Sequence, residues 1–346
     1  MLARFSNIRS PYLMQRHFNI EKFRSIQPIK TLQILRCSSH SPLGLQFKPG
    51  QRKKVTLNTL RNLYVKGEPI VAITAHDYCS GSVADAAGIE IVLVGDSLAM
   101  VGLGMEDTTE IRLEDMILFS RAVSRATRTA FTVADLPMGS YEVSAEQAVK
   151  SSIRIVKEGR AQGVKLEGGA QMAKTIKKIT DTGIPVMGHV GLTPQRQNSL
   201  SGFHVQGRTS DNALQILDDA LAVQAAGCFA VVLEAVPREI AAMITQKLKI
   251  PTIGIGAGNS CSGQILVQID MLGSSPPGHH LPKFVKKYSD IWGESLQGLE
   301  AYVKETKSRE YPAQEHTYSI SKEELTNFQD KLEQREFDSN LSARNS

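Results

Sequence analysis

The feature that most constrains the fold is a repeated alternation of short apolar runs and longer amphipathic segments. Apolar runs occur at 70–75, 89–95, 130–136, 163–166, 184–188, 228–233 and 251–255. They are continuously apolar rather than alternating, which is typical of strands buried on both faces of a parallel sheet. Segments with helical periodicity lie between them at 113–127, 144–162, 170–182, 214–226 and 238–249. The pattern therefore predicts seven strand–helix repeats, and residues 264–272 could supply an eighth strand.

The polar residues at the ends of these runs distinguish between two parallel-sheet folds. An open doubly wound sheet gathers its ligand groups at one switch point, whereas a closed barrel collects them from the C-terminal ends of many strands. Here nearly every run ends in a polar or glycine-rich group: Asp77, Asp96, Asp135, Glu167, His189, Glu234 and the glycines at 256 and 258. The sequence therefore predicts an α/β fold of the (β/α)₈ TIM-barrel type.

The barrel is expected to occupy residues 53–312, with extensions at both ends. A helix at 56–65, ended by Gly67 and capped by Asn58 or Thr59, should cover the barrel floor. Residues 313–346 are charged and poor in core-forming side chains, so we expect a short helix at 322–333 within a largely disordered tail. No run of about 18 apolar residues occurs, so no membrane-spanning segment is expected.

Positive charge is concentrated at the N-terminus. Residues 1–50 contain eight Lys or Arg and one acid, a charge of +7, whereas the whole chain carries +5. This leader is rich in Ser, Leu, Ile and Phe and lacks the apolar core of a secretory signal, which is typical of a mitochondrial presequence. The alternative is a disordered basic arm without a targeting role. We expect a mitochondrial matrix location, and no nucleic-acid partner, because the remainder of the chain carries −2.

Four carboxylates at the ends of apolar strands are the main candidates for chemistry: Asp96, Asp135, Glu167 and Glu234. An unpaired carboxylate is costly to desolvate at such a position, so each needs a partner. Any one of them alone could pair with Lys or Arg, or cap the next helix. In a barrel all four converge on one mouth, and several carboxylate oxygens suit Mg²⁺ better than zinc, which prefers His and Cys. The sequence therefore predicts a magnesium site.

Three further assignments follow from position. Lys165 lies two residues before Glu167, so both side chains leave the same face of the strand. Lys165 could be a Schiff-base lysine, a fixed cation for a substrate carboxylate or a structural ion-pair partner, and a nearby metal favours the second role. Glu234 follows the most apolar run, and a carboxylate held away from bulk water suits a general base. His189 is equally suited to a scaffold or a catalytic role.

Nine motifs resemble the ketopantoate hydroxymethyltransferase family over about residues 53–312. They are TAHDY at 74–78, LVGDSL at 93–98, ADLP at 134–137, VKLEGG at 164–169, GHVGLTPQ at 188–195, VQGR at 205–208, LEAVP at 233–237, GIGAG at 254–258 and PKF at 282–284. The sequence departs from the family pattern at His76, Ala99, Met138, Ser262 and Ile269, which leaves the shape of the pocket open. The resemblance also implies a homo-oligomer, often a decamer.

The resemblance implies a role for each matched residue. Asp96 and Asp135 correspond to direct Mg²⁺ ligands, and Glu167 to a third carboxylate of the metal site. Ser97 and Lys165 correspond to contacts of the ketoacid. We group Asp96, Asp135 and His189 with these two residues as substrate-binding, and the resemblance implies that Glu234 is the proton acceptor.

The family's reaction uses 5,10-methylenetetrahydrofolate and 3-methyl-2-oxobutanoate to make 2-dehydropantoate, a step of pantothenate biosynthesis. The residues and the resemblance together predict that the ketoacid chelates Mg²⁺, that Glu234 removes its C3 proton and that the enolate attacks the folate-borne methylene. Two alternatives remain at this point: an aldolase, metal-dependent or Schiff-base, acting on another 2-oxoacid, and a non-enzymatic mitochondrial scaffold on a degenerate barrel.

Overall fold

The apolar runs form a closed barrel of eight parallel strands in a computed structural model that describes residues 52–344. Each strand pairs with the next along the chain, and the last pairs with the first. The predicted (β/α)₈ TIM barrel is therefore confirmed. Expectations for the basic leader at 1–50 lie outside the described residues. The strands are β1 (Ile70–Thr74), β2 (Ile91–Val94), β3 (Phe131–Asp135), β4 (Gly163–Glu167), β5 (Val186–Gly191), β6 (Ala230–Glu234), β7 (Thr252–Ile255) and β8 (Gly263–Leu266).

The helices follow the predicted alternation, with one exception. They are α1 (Leu57–Lys66), α2 (Tyr78–Ala86), α3 (Leu98–Val101), α4 (Leu113–Ala126), α5 (Ala145–Lys157), α6 (Ala173–Thr180), α7 (Gln197–Leu200), α8 (Ser210–Ala225), α9 (Arg238–Lys247), α10 (Gln268–Met271), α11 (Ile291–Ser308) and α12 (Lys322–Arg344). Within the described range no helix separates β7 from β8, which are joined by the short, glycine-containing loop 256–262. None of the described helices combines the length and the apolar character needed to cross a bilayer.

Helix α1 packs against the barrel near the start of β1. Leu60 of this helix and Val55 before it are buried in the same apolar cluster as Ile70 at the start of β1. Thr56, rather than Asn58 or Thr59, is the N-cap residue, since its side chain accepts a hydrogen bond from the backbone N–H of Thr59. The floor is thus sealed with apolar side chains, and the opposite end remains open.

Asp85, near the end of α2, fixes the chain just before β3. Its carboxylate is 9% exposed and accepts hydrogen bonds from the backbone N–H groups of Arg128, Thr129 and Ala130 at 2.7–3.2 Å. The hydroxyl of Thr129 adds a fourth donor at 2.7 Å. Burial acts to raise the pKa of Asp85, but these hydrogen bonds outweigh it and lower the pKa below its ordinary value. The start of β3 is therefore held by a buried carboxylate.

The C-terminal segment contains two exposed helices. One face of α11 presents Trp292, Leu296, Leu299 and Val303 to solvent, each 38–64% exposed. Helix α12 begins at Lys322 as predicted but continues to residue 344, beyond the predicted end at 333. The reason is that residues 334–344 contain neither Gly nor Pro to end it. Residues 322–343 are all exposed. The expectation of a largely disordered tail stays a prediction.

Candidate active site

All the predicted site residues meet at the C-terminal mouth of the barrel. A cavity of about 920 Å³ is lined there by Asp96, Ser97, Asp135, Lys165, Glu167, His189 and Glu234. Strand register places several of them side by side. Asp135 is paired with Lys165 across β3 and β4, and Glu167 with His189 across β4 and β5. The closed sheet therefore gathers groups that are up to 138 residues apart in the sequence.

Lys165 is held as a buried ammonium group. Its Nζ atom lies 2.9 Å from Asp135 Oδ1 and 3.3 Å from His189 Nδ1, and its side chain is only 6% exposed. Burial alone would lower the pKa of Lys165, but the negative charges of Asp135, Asp96 and Glu167 outweigh it and raise the pKa above the ordinary value. A Schiff-base lysine needs the opposite shift, because only the neutral amine is nucleophilic. The geometry favours a fixed cation over a nucleophile.

The two aspartates share a strongly negative environment. Burial, reinforced by the charge of Glu167, raises the pKa of Asp96 to about 6. Burial also raises the pKa of Asp135 to about 6, although Lys165 opposes the shift. The Oδ2 atom of Asp135 accepts a hydrogen bond from the backbone N–H of Asp96 at 3.1 Å, which brings the two carboxylates together. A cation bound by these carboxylates would offset the cost of burying their charges, which is the main cause of both shifts.

The donor set fits Mg²⁺ through two carboxylates. Among residues 52–344, no three His, Cys, Asp or Glu side chains are arranged so that they could hold a metal ion. Mg²⁺ commonly keeps several waters and binds proteins through one or two carboxylates, so Asp96 and Asp135 suffice. The Oε2 atom of Glu167 accepts a hydrogen bond from the backbone N–H of Gln195 at 3.1 Å. Its assignment as a third metal-site carboxylate stays a prediction.

His189 lies between two carboxylates. Its Nε2 atom is 3.1 Å from Glu234 Oε2, and its Nδ1 atom is 3.5 Å from Glu167 Oε1. Burial and the charge of Lys165 lower the pKa of His189, but the hydrogen bonds to Glu167 and Glu234 outweigh them and raise it to about 9. The two carboxylates thus favour the charged form of the ring, whereas Lys165 opposes it. The ring holds Glu234, whose side chain is 15% exposed and faces the cavity.

Ser97 lines the cavity as the first residue before α3. No hydrogen bond to its hydroxyl is found among the described residues, so Oγ is available to a ligand. Gly95 makes room for it, because a Cβ atom at Gly95 would lie 3.1 Å from Ser97 Oγ. Asp77 makes no part of this group: its side chain caps α2 by accepting from the Ser80 N–H at 2.7 Å. Asp77, one of the polar residues that follow the apolar runs, therefore caps a helix and does not line the cavity.

Gln195 and Tyr141 are site residues that the sequence reasoning missed. Gln195 is 3% exposed, and its Nε2 atom donates to Asp96 Oδ2 at 2.7 Å. The hydroxyl of Tyr141 donates to Gln195 Oε1 at 2.6 Å. Neither residue ends a strand or carries charge, so strand-end analysis does not select them. The only available signal was the position of Gln195 at the end of the GHVGLTPQ motif.

The outer part of the cavity differs in character from its floor. Its walls carry Met100, Leu192, Phe203 and Phe284. Lys283, in the segment 279–285, also lines the cavity. The ring of Phe284 packs against Gly256, where a Cβ atom would lie 2.6 Å from Cδ1 and where φ is +64°. The cavity therefore has a charged floor and largely apolar walls, which suits a second, larger ligand above a small anionic one.

The chain is similar to known proteins over most of its length. A sequence model described as ketopantoate hydroxymethyltransferase matches residues 54–314. A protein of Emericella nidulans named 3-methyl-2-oxobutanoate hydroxymethyltransferase is 66% identical over 296 residues, covering 85% of this chain and 84% of that protein. A protein of Oryza sativa subsp. japonica named 3-methyl-2-oxobutanoate hydroxymethyltransferase 2, mitochondrial, is 47% identical over 287 residues, covering 82% and 72%.

A solved structure shows the same barrel fold. Phosphonopyruvate hydrolase, crystallised with oxalate and Mg²⁺, aligns with a TM-score of 0.51 at 12% identity and covers 82% of this chain and 98% of its own. At this identity the likeness concerns the fold alone. The sequence matches go further, because they extend over the whole barrel and include relatives named as transferases. The chain belongs to the ketopantoate hydroxymethyltransferase family, and it is an enzyme of the transferase class.

Proposed function

We propose that the chain transfers a hydroxymethyl group to 3-methyl-2-oxobutanoate, forming 2-dehydropantoate, with 5,10-methylenetetrahydrofolate as the one-carbon donor. Membership of the family supports the ketopantoate-forming reaction. The single observation that carries the mechanism is the position of Glu234. Its carboxylate is partly exposed to a cavity whose floor holds a buried ammonium group and two adjacent aspartates. A base and an anion-binding floor thus face the same space.

The floor would bind the carboxylate and keto oxygens of the ketoacid. Lys165 supplies a permanent positive charge for the carboxylate, and Ser97 supplies a hydroxyl donor. Asp96 and Asp135 would hold Mg²⁺, which when bound would polarise the keto group and make the C3 proton more acidic. The ligand is then fixed at one end, so that its C3 carbon points outward toward Glu234.

Glu234 would accept the C3 proton. The contact between its Oε2 atom and His189 Nε2, at 3.1 Å, holds one carboxylate oxygen, and no hydrogen bond to the other is found among the described residues. His189 is in turn held by Glu167. A positioned general base contributes roughly 10²–10⁴-fold to the rate of proton transfer. His189 therefore acts in this proposal as the residue that orients the base, which gives a role to a residue for which the sequence left two open.

The folate would occupy the outer part of the cavity. A volume of about 920 Å³ is near the upper end of the roughly 300–1,000 Å³ typical of pockets for drug-sized ligands, and far exceeds the needs of a five-carbon ketoacid. Phe203 and Phe284 offer aromatic surface for the flat rings of the folate, and Lys283 offers charge for a glutamate carboxylate. The methylene group would then lie above the C3 carbon of the ketoacid.

Deuterium exchange at C3 of 3-methyl-2-oxobutanoate in heavy water tests the proposal without folate. The wild-type chain with Mg²⁺ is expected to catalyse exchange, and Glu234→Gln is expected to lower the rate by at least about 100-fold, because the amide accepts no proton. Glu239→Gln is the matched control, since Glu239 is an exposed residue of α9 paired with Arg238. Exchange that persists at the wild-type rate in Glu234→Gln, or in the presence of a chelator, contradicts the proposal.

Location and assembly are parts of the same proposal. The composition of the basic leader and the mitochondrial name of the rice relative support a mitochondrial matrix location. The exposed apolar face of α11 supports a homo-oligomer, because such a face is stabilised when a second copy covers it. Import of a fluorescent fusion into isolated mitochondria, and sedimentation of the purified chain, test the two statements separately.

A further inference from the structure

Gln195 uses every hydrogen-bonding group of its side chain and its backbone N–H at the floor of the cavity. Nε2 donates to Asp96 Oδ2 at 2.7 Å and to the Leu136 carbonyl at 3.0 Å. Oε1 accepts from the Tyr141 hydroxyl at 2.6 Å, and the backbone N–H donates to Glu167 Oε2 at 3.1 Å. One buried residue in the loop after β5 thus contacts the ends of β2, β3 and β4.

These partners allow one orientation of the amide. The Leu136 carbonyl is only an acceptor, so it requires the NH₂ group of Gln195 on its side. The amide oxygen must then face Tyr141, a residue that is 1% exposed, and accept the hydrogen bond that the Tyr141 hydroxyl donates. Burial raises the pKa of Tyr141, which keeps this donor protonated. Tyr141 therefore locks Gln195, and Gln195 in turn fixes one oxygen of Asp96.

The consequence for Asp96 concerns its second oxygen. Among residues 52–344, Oδ1 of Asp96 has no hydrogen-bond partner, whereas Oδ2 is held by Gln195. A carboxylate that is held at one oxygen presents the other in a fixed direction. An outer group that orients a ligand in this way commonly contributes 10–100-fold to metal affinity.

We propose that Gln195, locked by Tyr141, is a positioning residue that aims the free oxygen of Asp96 at the bound cation. This inference rests on the proposed function, because it assumes that Asp96 is a metal ligand. Gln195 takes part in no catalytic step and acts only through Asp96. The competing explanation is that Gln195 only connects the ends of β2, β3 and β4 by hydrogen bonds and contributes to stability alone.

Metal affinity separates the two explanations. Mn²⁺ is titrated into each full-length variant at saturating 3-methyl-2-oxobutanoate, and free Mn²⁺ is followed by electron paramagnetic resonance. Gln195→Met keeps the size of the side chain and the backbone contact to Glu167 but removes the bond to Asp96. The matched control is Gln268→Met, because Gln268 is similarly buried, at 6%, and its amide donates only to the backbone carbonyl of Ser80.

We expect Gln195→Met to weaken Mn²⁺ binding by at least about tenfold and Gln268→Met to leave it unchanged. Tyr141→Phe should weaken it by a smaller factor, because the unlocked amide can still reach Asp96. Since Tyr141 acts only through Gln195, the double variant should bind Mn²⁺ as Gln195→Met does, with no added loss. A thermal melt of each variant checks folding, and Tyr141→Phe keeps the test available if Gln195→Met is unfolded.

Two results overturn the inference while leaving the proposed function intact. One is wild-type Mn²⁺ affinity in a folded Gln195→Met chain. The other is a double variant whose loss is the product of the two single losses, which would mean that Tyr141 and Gln195 act independently. A wild-type chain that binds no Mn²⁺ with the ketoacid present would instead overturn the proposed function, and the inference with it.

Discussion

Replacing Asp85 with Asn should destabilise the barrel markedly although the two side chains have the same shape. The carboxylate of Asp85 accepts from three consecutive backbone N–H groups, of residues 128, 129 and 130, and from the Thr129 hydroxyl. An asparagine keeps one acceptor oxygen and places an NH₂ group where the second was. The second oxygen accepts from the N–H of Arg128, so in the variant this N–H would face a donor in place of that acceptor.

The magnitude follows from counting these bonds. A hydrogen bond to a charged group contributes about 1.5–3 kcal/mol, and a buried donor left without a partner costs about 1–3 kcal/mol. Asp85→Asn weakens the bonds that remain by removing the charge, and it replaces the acceptor for one buried N–H with a donor. We therefore expect the free energy of unfolding to fall by about 3–5 kcal/mol. Asp218→Asn, at an exposed position of α8, should change it by less than about 0.5 kcal/mol.

Urea unfolding followed by circular dichroism measures both variants, and its pH dependence adds a second check. The pKa of Asp85 is lowered in the folded state, so its stabilising contribution is complete above the unfolded pKa of about 3.9 and is lost as the pH falls through the folded value. The difference between wild type and Asp85→Asn should therefore shrink below about pH 4. A loss under about 1 kcal/mol at pH 7, or a difference that does not change with pH, would refute this reasoning.

Three further changes test the site and the surface. Lys165→Met should raise the KM for the ketoacid by at least about 30-fold, since truncating a buried charge partner costs 2 kcal/mol or more. Borohydride with substrate should trap no adduct in the wild type; a trapped adduct on Lys165 would favour the aldolase. Gly191→Ala should lower the Tm far more than Gly104→Ala: both glycines have positive φ, but only at Gly191 would a Cβ meet backbone, 2.4 Å from the Glu234 carbonyl oxygen. Leu299→Asp in α11 should shift sedimentation to smaller species, and a monomeric wild type would contradict the oligomer proposal.

The sequence predicted the barrel well because strands buried on both faces leave a simple signal. Seven apolar runs became strands with bounds shifted by a few residues. The eighth strand, predicted at 264–272, covers only 263–266, because residues 268–271 form helix α10. The start of α8 was predicted at 214 but lies four residues earlier at Ser210, because Thr209 caps the helix there. Capping depends on one side chain, and periodicity does not register it.

The site was predictable to the extent that its members end strands. Strand-end position selected Asp96, Asp135, Glu167 and Glu234, and the barrel brought all four into one cavity with Lys165, which was selected by its place two residues before Glu167. What each contacts could not be predicted, since contacts between neighbouring strands depend on register and on the loops above them. The protonation of His189 depends on two carboxylates from different strands, and the role proposed for Gln195 depends on a loop conformation that no local pattern encodes.

The register that pairs the charged residues also has a consequence for assembly of the barrel. Asp135 faces Lys165, and Glu167 faces His189, only when β3, β4 and β5 are aligned as observed. A slip of one residue would turn Lys165 to the opposite face of β4, into the apolar layer beneath the helices, with no carboxylate beside it. The groups proposed to bind the substrate therefore also favour the correct alignment of strands. Variants in which Asp135, Lys165, Glu167 and His189 are replaced with apolar residues should lose turnover. They should also refold to a mixture of strand alignments.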